Sequence, residues 1–250
     1  MKQFLLTPSM SKRLIGKAMG VHPAIQAVLE KGTLVIIAGT TNGYVAEEIL
    51  EGIAQAEGFW RKGFRRGLVT PPDFDTDSVK AELPGDVVIV DGAFQKGKTI
   101  FDVVDDLSAG DVILKGANAV NVERGEAGVY IGDPQGGTAA AAIRAVVGRR
   151  VQLIVPVGLQ KRVGGGIMDL AAKVNAPDAQ GPRMLPLPGV VFTELDSIRL
   201  LTGAAATLIA AGGVYGAEGS VFLGVCGAPQ QIKAAEKLIN SIAREPPCEV

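Results

Sequence analysis

The chain has 250 residues, a net charge of −1 and one histidine and two cysteines. This length supports a large buried core, whereas the balanced charge gives no overall attraction to nucleic acid, and so few histidines and cysteines indicate neither a disulfide framework nor a zinc cluster. Because the longest apolar runs are also too short to span a bilayer, we expect a soluble, cytoplasmic protein with no membrane partner and no direct nucleic-acid partner.

The first two thirds of the chain alternate between helical and strand patterns. Helical spacing over 14–19 and 21–30 is followed by a β-branched run at 33–38, which is typical of a strand buried on both faces. The pattern further predicts helices at 44–55, 99–107 and 138–147 and strands at 86–90, 111–114, 128–131 and 151–157. This alternation predicts an α/β fold with a doubly wound, mostly parallel sheet in three layers, α/β/α, because crossover helices cover both faces of such a sheet.

The composition changes between residues 175 and 188, where four prolines occur. This change predicts a linker between a Rossmann-like domain at 1–174 and a smaller domain at 189–250. The patterns beyond it are strand, helix, strand, strand and helix, at 190–193, 194–201, 205–211, 220–225 and 229–243. With a short last strand near Cys248, this order predicts a ferredoxin-like α+β subdomain.

A loop with two threonines follows the first buried strand. Its residues are Gly39, Thr40, Thr41, Asn42 and Gly43. Because the loop precedes a helix, its N–H groups and hydroxyls can converge on a phosphate or carboxylate. The loop lacks the ending of a nucleotide P-loop and the three glycines of a dinucleotide fingerprint. The alternative is that Gly39 and Gly43 only turn the chain.

Two more glycine-rich loops are candidates for ligand binding. The loop at 133–138 ends in Gly136, Gly137 and Thr138, directly before a predicted helix. Thr138 is a candidate N-cap, so this loop either binds a ligand or only begins the helix. The glycine run at 164–166 follows two basic residues. It would act as a mobile lid over an anion or as a link between domains.

Polar residues also follow two predicted strands, where open α/β sheets place their ligands. The two segments are Asp91-Gly92-Ala93 and Lys115-Gly116-Ala117-Asn118-Ala119. Asp91 as a base and Lys115 as its electrostatic partner would suit proton transfer next to a carbonyl. The alternative is a structural ion pair between neighbouring loops.

Three other features have simpler interpretations. The basic cluster at 61–66 would grip phosphates, lie in a solvated loop or contact another subunit. His22 precedes Pro23 at a predicted helix start, which favours a capping role over catalysis. The carboxylates at 102, 105 and 106 favour a solvated helix face over a magnesium site.

The order of these motifs resembles that of ribose-5-phosphate isomerase A and its superfamily, which includes glucosamine-6-phosphate deaminase, CoA transferases and the sensor domains of DeoR-type repressors. The Gly39-Thr40-Thr41 loop, after the helix that starts at Ser11-Lys12-Arg13, is similar to the isomerase's phosphate-binding loop. Asp91-Gly92-Ala93 resembles the start of its acidic motif, and Leu114-Lys115-Gly116 resembles its lysine-glycine motif. Phe94 and Gln95 stand where the isomerase has an acidic pair.

The resemblance implies a protein that binds a small anionic, phosphorylated sugar-like metabolite. It implies isomerase-like catalysis by Asp91 and Lys115 without a required cofactor, with Gly92, Ala93, Gly116, Ala117 and Asn118 beside the ligand. One alternative is a non-catalytic metabolite sensor. Another is a CoA-transfer enzyme, with CoA as cofactor and Glu123 or Glu126 as the reactive carboxylate. We also expect a homo-oligomer, because most soluble oligomers consist of identical subunits.

Overall fold

The computed structural model describes residues 1–67, 69–74 and 85–248. Within these residues, twelve strands and eight helices form an α/β protein. The strands are β1 (Lys2–Leu6), β2 (Thr33–Ile36), β3 (Val87–Val90), β4 (Ala93–Phe94), β5 (Val112–Leu114), β6 (Ala119–Asn121), β7 (Glu126–Ile131), β8 (Gln152–Pro156), β9 (Arg183–Leu187), β10 (Val190–Phe192), β11 (Ala205–Ala211) and β12 (Val221–Cys226). The helices are α1 (Pro8–Gly20), α2 (Pro23–Glu30), α3 (Thr40–Gly52), α4 (Ile100–Val103), α5 (Gly137–Arg149), α6 (Ile167–Val174), α7 (Glu194–Thr202) and α8 (Pro229–Ser241).

The central sheet has six strands in the order β10-β8-β5-β2-β3-β4. The first four strands are parallel to one another, whereas β3 is antiparallel to β2, and β4 is antiparallel to β3. The sheet is therefore mixed. The alternating pattern predicted parallel strands, and it did not distinguish the reversed direction of β3.

The β-branched run that forms β2 is buried on both faces of this sheet. Val35 belongs to an apolar cluster that includes Ala142 of α5. Its neighbour Ile36 belongs to a second cluster, which includes Ile15 of α1 and Ile49 of α3. Because successive side chains of a strand point to opposite faces, a strand with helices against each face needs apolar residues at every position.

Two smaller sheets flank the central one. One has the order β6-β7-β9, and the other has the order β1-β12-β11. The sequence patterns missed β1, which pairs with β12 so that Lys2 lies opposite Val225. Cys248, near which a last strand was predicted, lies outside every strand.

Regular structure also continues through the predicted linker. Strand β9 lies inside the 175–188 segment and pairs with β7, for example through Val129 and Leu185. Strand β10, predicted as part of the second domain, instead joins the central sheet beside β8. Pro186 is compatible with this arrangement because β9 lies at the edge of its sheet, where a missing N–H is tolerated. Pro188 lies between β9 and β10.

No helix in the described part of the chain is both long enough and apolar enough to cross a bilayer.

Candidate functional site

A cavity of about 690 Å³ lies beyond the carboxyl ends of the parallel strands. It is lined by residues that follow β2, β5 and β8, together with residues of β7 and the start of α5. Cavities of this size hold small molecules, and this edge of an open α/β sheet is where ligands bind most often. The cavity is therefore the candidate functional site.

The N-terminus of α3 opens onto this cavity without a side-chain cap. Gly39 is the N-cap and supplies only its carbonyl, which accepts the first intrahelical hydrogen bond from the Gly43 N–H at 2.8 Å. The N–H groups of the first turn, at 40–42, therefore have no acceptor within the helix. Asn42 holds the turn in place because its Nδ2 donates to the carbonyls of Ile37 at 2.8 Å and Leu114 at 3.0 Å.

Thr41 contributes an unpaired hydroxyl to the same turn. The residue is 3% exposed, lines the cavity, and its Oγ1 has no hydrogen-bond partner among the described residues. Burying a hydroxyl without a partner costs about 1–3 kcal/mol in proteins.

A second uncapped helix N-terminus, that of α5, faces the cavity. Its N-cap is Gly136, whose φ of 80° is left-handed, and its first intrahelical bond joins the Ala140 N–H to the Gly136 carbonyl at 3.2 Å. Gly136, Gly137 and Thr138 all line the cavity. Thr138 was predicted as the N-cap, but it lies one residue inside the helix. The partial positive charges at the N-termini of α3 and α5 therefore both lie at the wall of the same cavity.

Four cationic residues, Lys12, Arg66, Lys115 and Lys161, and one acidic residue, Asp133, also line the cavity. Burial lowers the pKa of Lys115 to about 8, and the positive charge of Arg66 adds to this effect. Burial also lowers the pKa of Lys161 to about 8, with further contributions from Lys12 and Lys115. Close, partly desolvated cations of this kind are costly without an anion between them.

Two buried carboxylates lie next to these cations: Asp86 beside Arg66, and Glu194 beside Lys12. Asp86, whose side chain has no exposed surface, accepts hydrogen bonds from the N–H groups of Ala38 and Ile100 at 2.9 Å and from Arg66 Nη1 at 3.0 Å. Glu194 is fully buried and accepts from the Leu159 N–H at 3.0 Å. Burial raises the pKa of the Glu194 carboxyl, and the nearby charge of Lys12 opposes this.

The C-terminal segment forms another part of the wall. The Glu245 carboxylate lies 3.0 Å from Arg13 Nε and 3.7 Å from Arg61 Nη2, which ties the segment to α1 and to the loop after α3. Cys248 then lines the cavity. Residues from both ends of the chain thus meet at the site.

Most of the residues predicted from the sequence lie in this cavity. They are Gly39, Thr40, Thr41 and Asn42, then Lys115, Gly116, Ala117 and Asn118, and finally Gly136, Gly137 and Thr138. The three loops that carry them are far apart in the sequence. The parallel strands and the start of α5 bring them to one edge of the sheet.

Asp91, Gly92 and Ala93 do not line the cavity. Since β3 is antiparallel to β2, the residue after β3 lies at the amino end of β2, and Asp91 Oδ1 there accepts from the Gly32 N–H at 2.8 Å. Lys115 follows the carboxyl end of β5, which is parallel to β2, so it lies at the opposite end of the strands from Asp91. The expected pairing of Asp91 with Lys115, as catalytic groups or as an ion pair, is therefore wrong, and the aspartate near Lys115 is Asp86.

Sequence reasoning did not select Lys12, Arg66, Asp86 or Cys248 as site residues. Arg66 belongs to the basic cluster at 61–66, so its charge was a usable signal. Arg61 of the same cluster instead pairs with Glu47 at 3.2 Å and stacks over Tyr44. The cluster therefore divides between the cavity and an ion-pair network.

The other candidate groups have local structural roles. His22 is the N-cap of α2, and its Nδ1 accepts from the Ala24 N–H at 3.3 Å. Asp102 caps α4, and Asp105 pairs with Arg144 at 2.8 Å. No group of three or more potential metal ligands occurs within the described residues.

The lid and CoA-transfer candidates lie elsewhere. The glycine run at 164–166 leads into α6, where the Gly165 carbonyl accepts from Asn121 Nδ2 at 2.7 Å. Glu126 accepts from the Ile167 N–H at 2.8 Å, and neither it nor Glu123 lines the cavity.

The sequence matches no protein-family model and no curated protein.

Proposed function

We propose that this protein binds a small phosphorylated metabolite, with the phosphate at the N-terminus of α3. The observation that carries the proposal is the buried, unpaired hydroxyl of Thr41 beside an uncapped first turn. A phosphate oxygen would accept hydrogen bonds from that hydroxyl and from the N–H groups of the turn. Such N-termini bind phosphate because their N–H groups and the helix dipole act together.

The charges around the cavity support a ligand with considerable negative charge. A phosphate monoester carries close to two negative charges at neutral pH. Lys12, Arg66, Lys115 and Lys161 would neutralise it in a partly buried space. The N-terminus of α5 offers a second place for an anionic or hydroxyl group of the same ligand, which favours a polyhydroxylated compound of sugar-like character.

We also propose that the chain is a divergent relative of the ribose-5-phosphate isomerase superfamily, with a doubly wound three-layer domain and a small α+β subdomain built on the sheet β1-β12-β11. The Gly39-Thr40-Thr41 loop and the lysine loop at 115–118 both line one cavity, as the resemblance implies. Apolar clusters on both faces of the central sheet support the layering. The position of Asp91 removes it from this proposal, which requires no cofactor and keeps Lys115 as a ligand-binding cation.

Replacing Thr41 with valine is expected to weaken phosphate binding about tenfold, which is the loss of roughly 1.4 kcal/mol. Valine matches the shape of threonine but lacks the hydroxyl. The fold should be as stable as the wild type or more stable, because an unpaired buried polar group is removed. Isothermal titration calorimetry with ribose 5-phosphate and with inorganic phosphate measures the affinity, and thermal unfolding measures the stability.

A matched control for this substitution is Thr33→Val. Thr33 lies at the other end of β2, and it does not line the cavity. Its replacement should leave the affinity unchanged. If Thr41→Val binds both probes as tightly as the wild type does, the phosphate does not occupy the α3 N-terminus.

The affinity for sulfate is expected to fall as the pH rises through about 8. Lys115 and Lys161 both have a pKa lowered to about 8, so they are charged below that pH and lose their charge above it. An anion favours the charged forms, so its binding raises both pKa values and takes up protons near pH 8. Sulfate itself keeps its charge throughout this range, so the change reports the protein.

Calorimetry between pH 7 and 9.5, in buffers of different ionisation enthalpy, measures both the affinity and the proton uptake. The double variant Lys115→Met/Lys161→Met should bind sulfate weakly and with little dependence on pH. A wild-type affinity that stays constant across this range would contradict an anion site next to these lysines.

A further inference from the structure

Lys115 differs from the other lysines of the cavity in that its Nζ makes no hydrogen bond within the described residues. Lys12 Nζ donates to the Pro8 carbonyl at 3.3 Å, and Lys161 Nζ donates to the Ala117 carbonyl at 2.6 Å. Lys115 Nζ makes no hydrogen bond and no ion pair within the described residues, although the residue is only 9% exposed. A nearly buried ammonium group without a partner, in the wall of a cavity, is available for contact with a ligand.

Lys115 is attached to an interior strand of the central sheet and lines the cavity. The residue directly follows β5, which lies between β2 and β8, and its N–H donates to the Ile154 carbonyl at 3.1 Å. The loop that begins with Lys115 therefore starts from an interior strand of the sheet. The α3 N-terminus that follows β2 opens onto the same cavity.

The surroundings of Lys115 increase the fraction of the neutral amine, which is the nucleophilic form. Its burial and the nearby guanidinium of Arg66 disfavour the ammonium, the Asp86 carboxylate favours it, and the net effect lowers the pKa to about 8. A lysine that is desolvated beside another cation is the arrangement by which enzymes activate an amine for attack on a carbonyl.

We propose that Lys115 forms a reversible imine with a phosphorylated aldehyde or ketone whose phosphate lies at the N-terminus of α3. This inference rests on the proposed function, because the phosphate would place the carbonyl carbon near the amine. It defines the substrate class more narrowly, as phosphorylated compounds that carry a free carbonyl group.

The chemical step is balanced without another reactant. The Nζ lone pair of Lys115 forms a bond to the carbonyl carbon, and the carbonyl π electrons move to the oxygen, which takes a proton and gives a carbinolamine. Loss of that hydroxyl as water, with the remaining proton lost from nitrogen, then leaves a carbon–nitrogen double bond. Water reverses the reaction, and no oxidant or reductant takes part.

Reductive trapping tests this proposal directly. The protein is incubated with dihydroxyacetone phosphate and sodium cyanoborohydride, which reduces an imine to a stable secondary amine. Intact-mass spectrometry and peptide mapping then locate the adduct. We expect one predominant adduct, on Lys115, with a yield that falls about tenfold in Thr41→Val because the phosphate is held less tightly.

Two small-molecule controls separate the contributions of the ligand. Glycerol 3-phosphate has the phosphate but no carbonyl, so it should give no adduct and should compete with the trapping reaction. Dihydroxyacetone has the carbonyl but no phosphate, so it should label Lys115 far more slowly. Equal labelling by dihydroxyacetone and its phosphate would overturn the role of the phosphate in directing the imine.

Two protein variants test the choice of lysine. Lys115→Arg keeps a positive charge and should bind inorganic phosphate but form no adduct in the cavity. Lys161→Arg, the matched control, should still be labelled on Lys115. If the adduct on the wild-type protein lies on Lys161, or on surface lysines and not on Lys115, the proposal is wrong. This test does not depend on any variant.

The failures of the two proposals are distinguishable. If phosphate binds and Thr41→Val weakens it, but the wild type gives no trapped adduct, the imine is wrong and the binding function stands. If neither phosphate nor dihydroxyacetone phosphate binds, the proposed function and the imine both fail.

Discussion

Replacing Asp86 with asparagine is expected to lower the free energy of unfolding by about 2–4 kcal/mol. The Asp86 carboxylate accepts from two backbone N–H groups, those of Ala38 and Ile100, and from Arg66. Asparagine replaces one of the two oxygens with an NH₂ group, so at least one of these donors would face another donor. Urea-induced unfolding, followed by circular dichroism, measures the difference.

The other aspartate that flanks β3 is the matched control. Asp91 is exposed, has a φ of 47°, and accepts one hydrogen bond from the Gly32 N–H. Asparagine tolerates a left-handed backbone and keeps that acceptor, so Asp91→Asn should cost less than about 1 kcal/mol. If the two variants lose the same free energy of unfolding, the buried hydrogen bonds of Asp86 stabilise the protein no more than the exposed one of Asp91.

Replacing Gly16 with alanine is expected to destabilise the protein by about 1–3 kcal/mol. Gly16 lies where α1 packs on α3, and a Cβ there would lie 2.9 Å from the Tyr44 carbonyl oxygen and 3.1 Å from its carbonyl carbon. Both are backbone atoms, so α1 and α3 would have to separate. Thermal and urea unfolding measure the change, which should exceed the gain in helix propensity.

The same substitution at Gly20, in the same helix, should have the opposite sign. Its Cβ would meet only Glu48 Cβ at 3.8 Å, an ordinary contact. Alanine there should stabilise the protein by up to about 1 kcal/mol through helix propensity alone. If Gly16→Ala is also stabilising, α1 and α3 are not held together by this close approach.

The parts of the site that could be predicted from the sequence are those encoded within one strand-loop-helix segment. The β-branched run before Gly39 predicted a buried strand, and the helical spacing after it predicted α3, so the loop between them had a definite place. The same reasoning applied to Lys115, which directly follows the apolar residues of β5. Because parallel strands end at one edge, local patterns were sufficient to bring these loops together.

The direction of β3 could not be predicted in the same way. A short apolar run such as Val87–Val90 has the same pattern whichever way the strand runs, and both of its ends carry an aspartate. Direction depends on how the chain crosses from α3 to β3, through a segment with no clear periodicity. The sequence therefore favoured Asp91 for a role near Lys115, whereas Asp86 occupies that position.

Contacts between distant segments were also beyond the reach of local patterns. Lys12 reaches the cavity from α1, Arg66 from the loop after α3 and Cys248 from the C-terminal segment. None of these residues follows a strand of the central sheet. Their positions depend on helix packing and on ion pairs such as that between Arg13 and Glu245, which have no signature in spacing or composition.

The pairing of β1 with β12 has a consequence for how the protein folds during synthesis. Lys2 to Leu6 lie opposite Val225 to Val221, so β1 can pair with β12 only after all the residues between the two strands have been made. Contacts this far apart in sequence form slowly because a long loop must close. All the strands of the central sheet are made before β12, so this sheet can assemble first. Until β12 has been made, β1 has no strand to pair with and can bind chaperones or pair with a wrong strand.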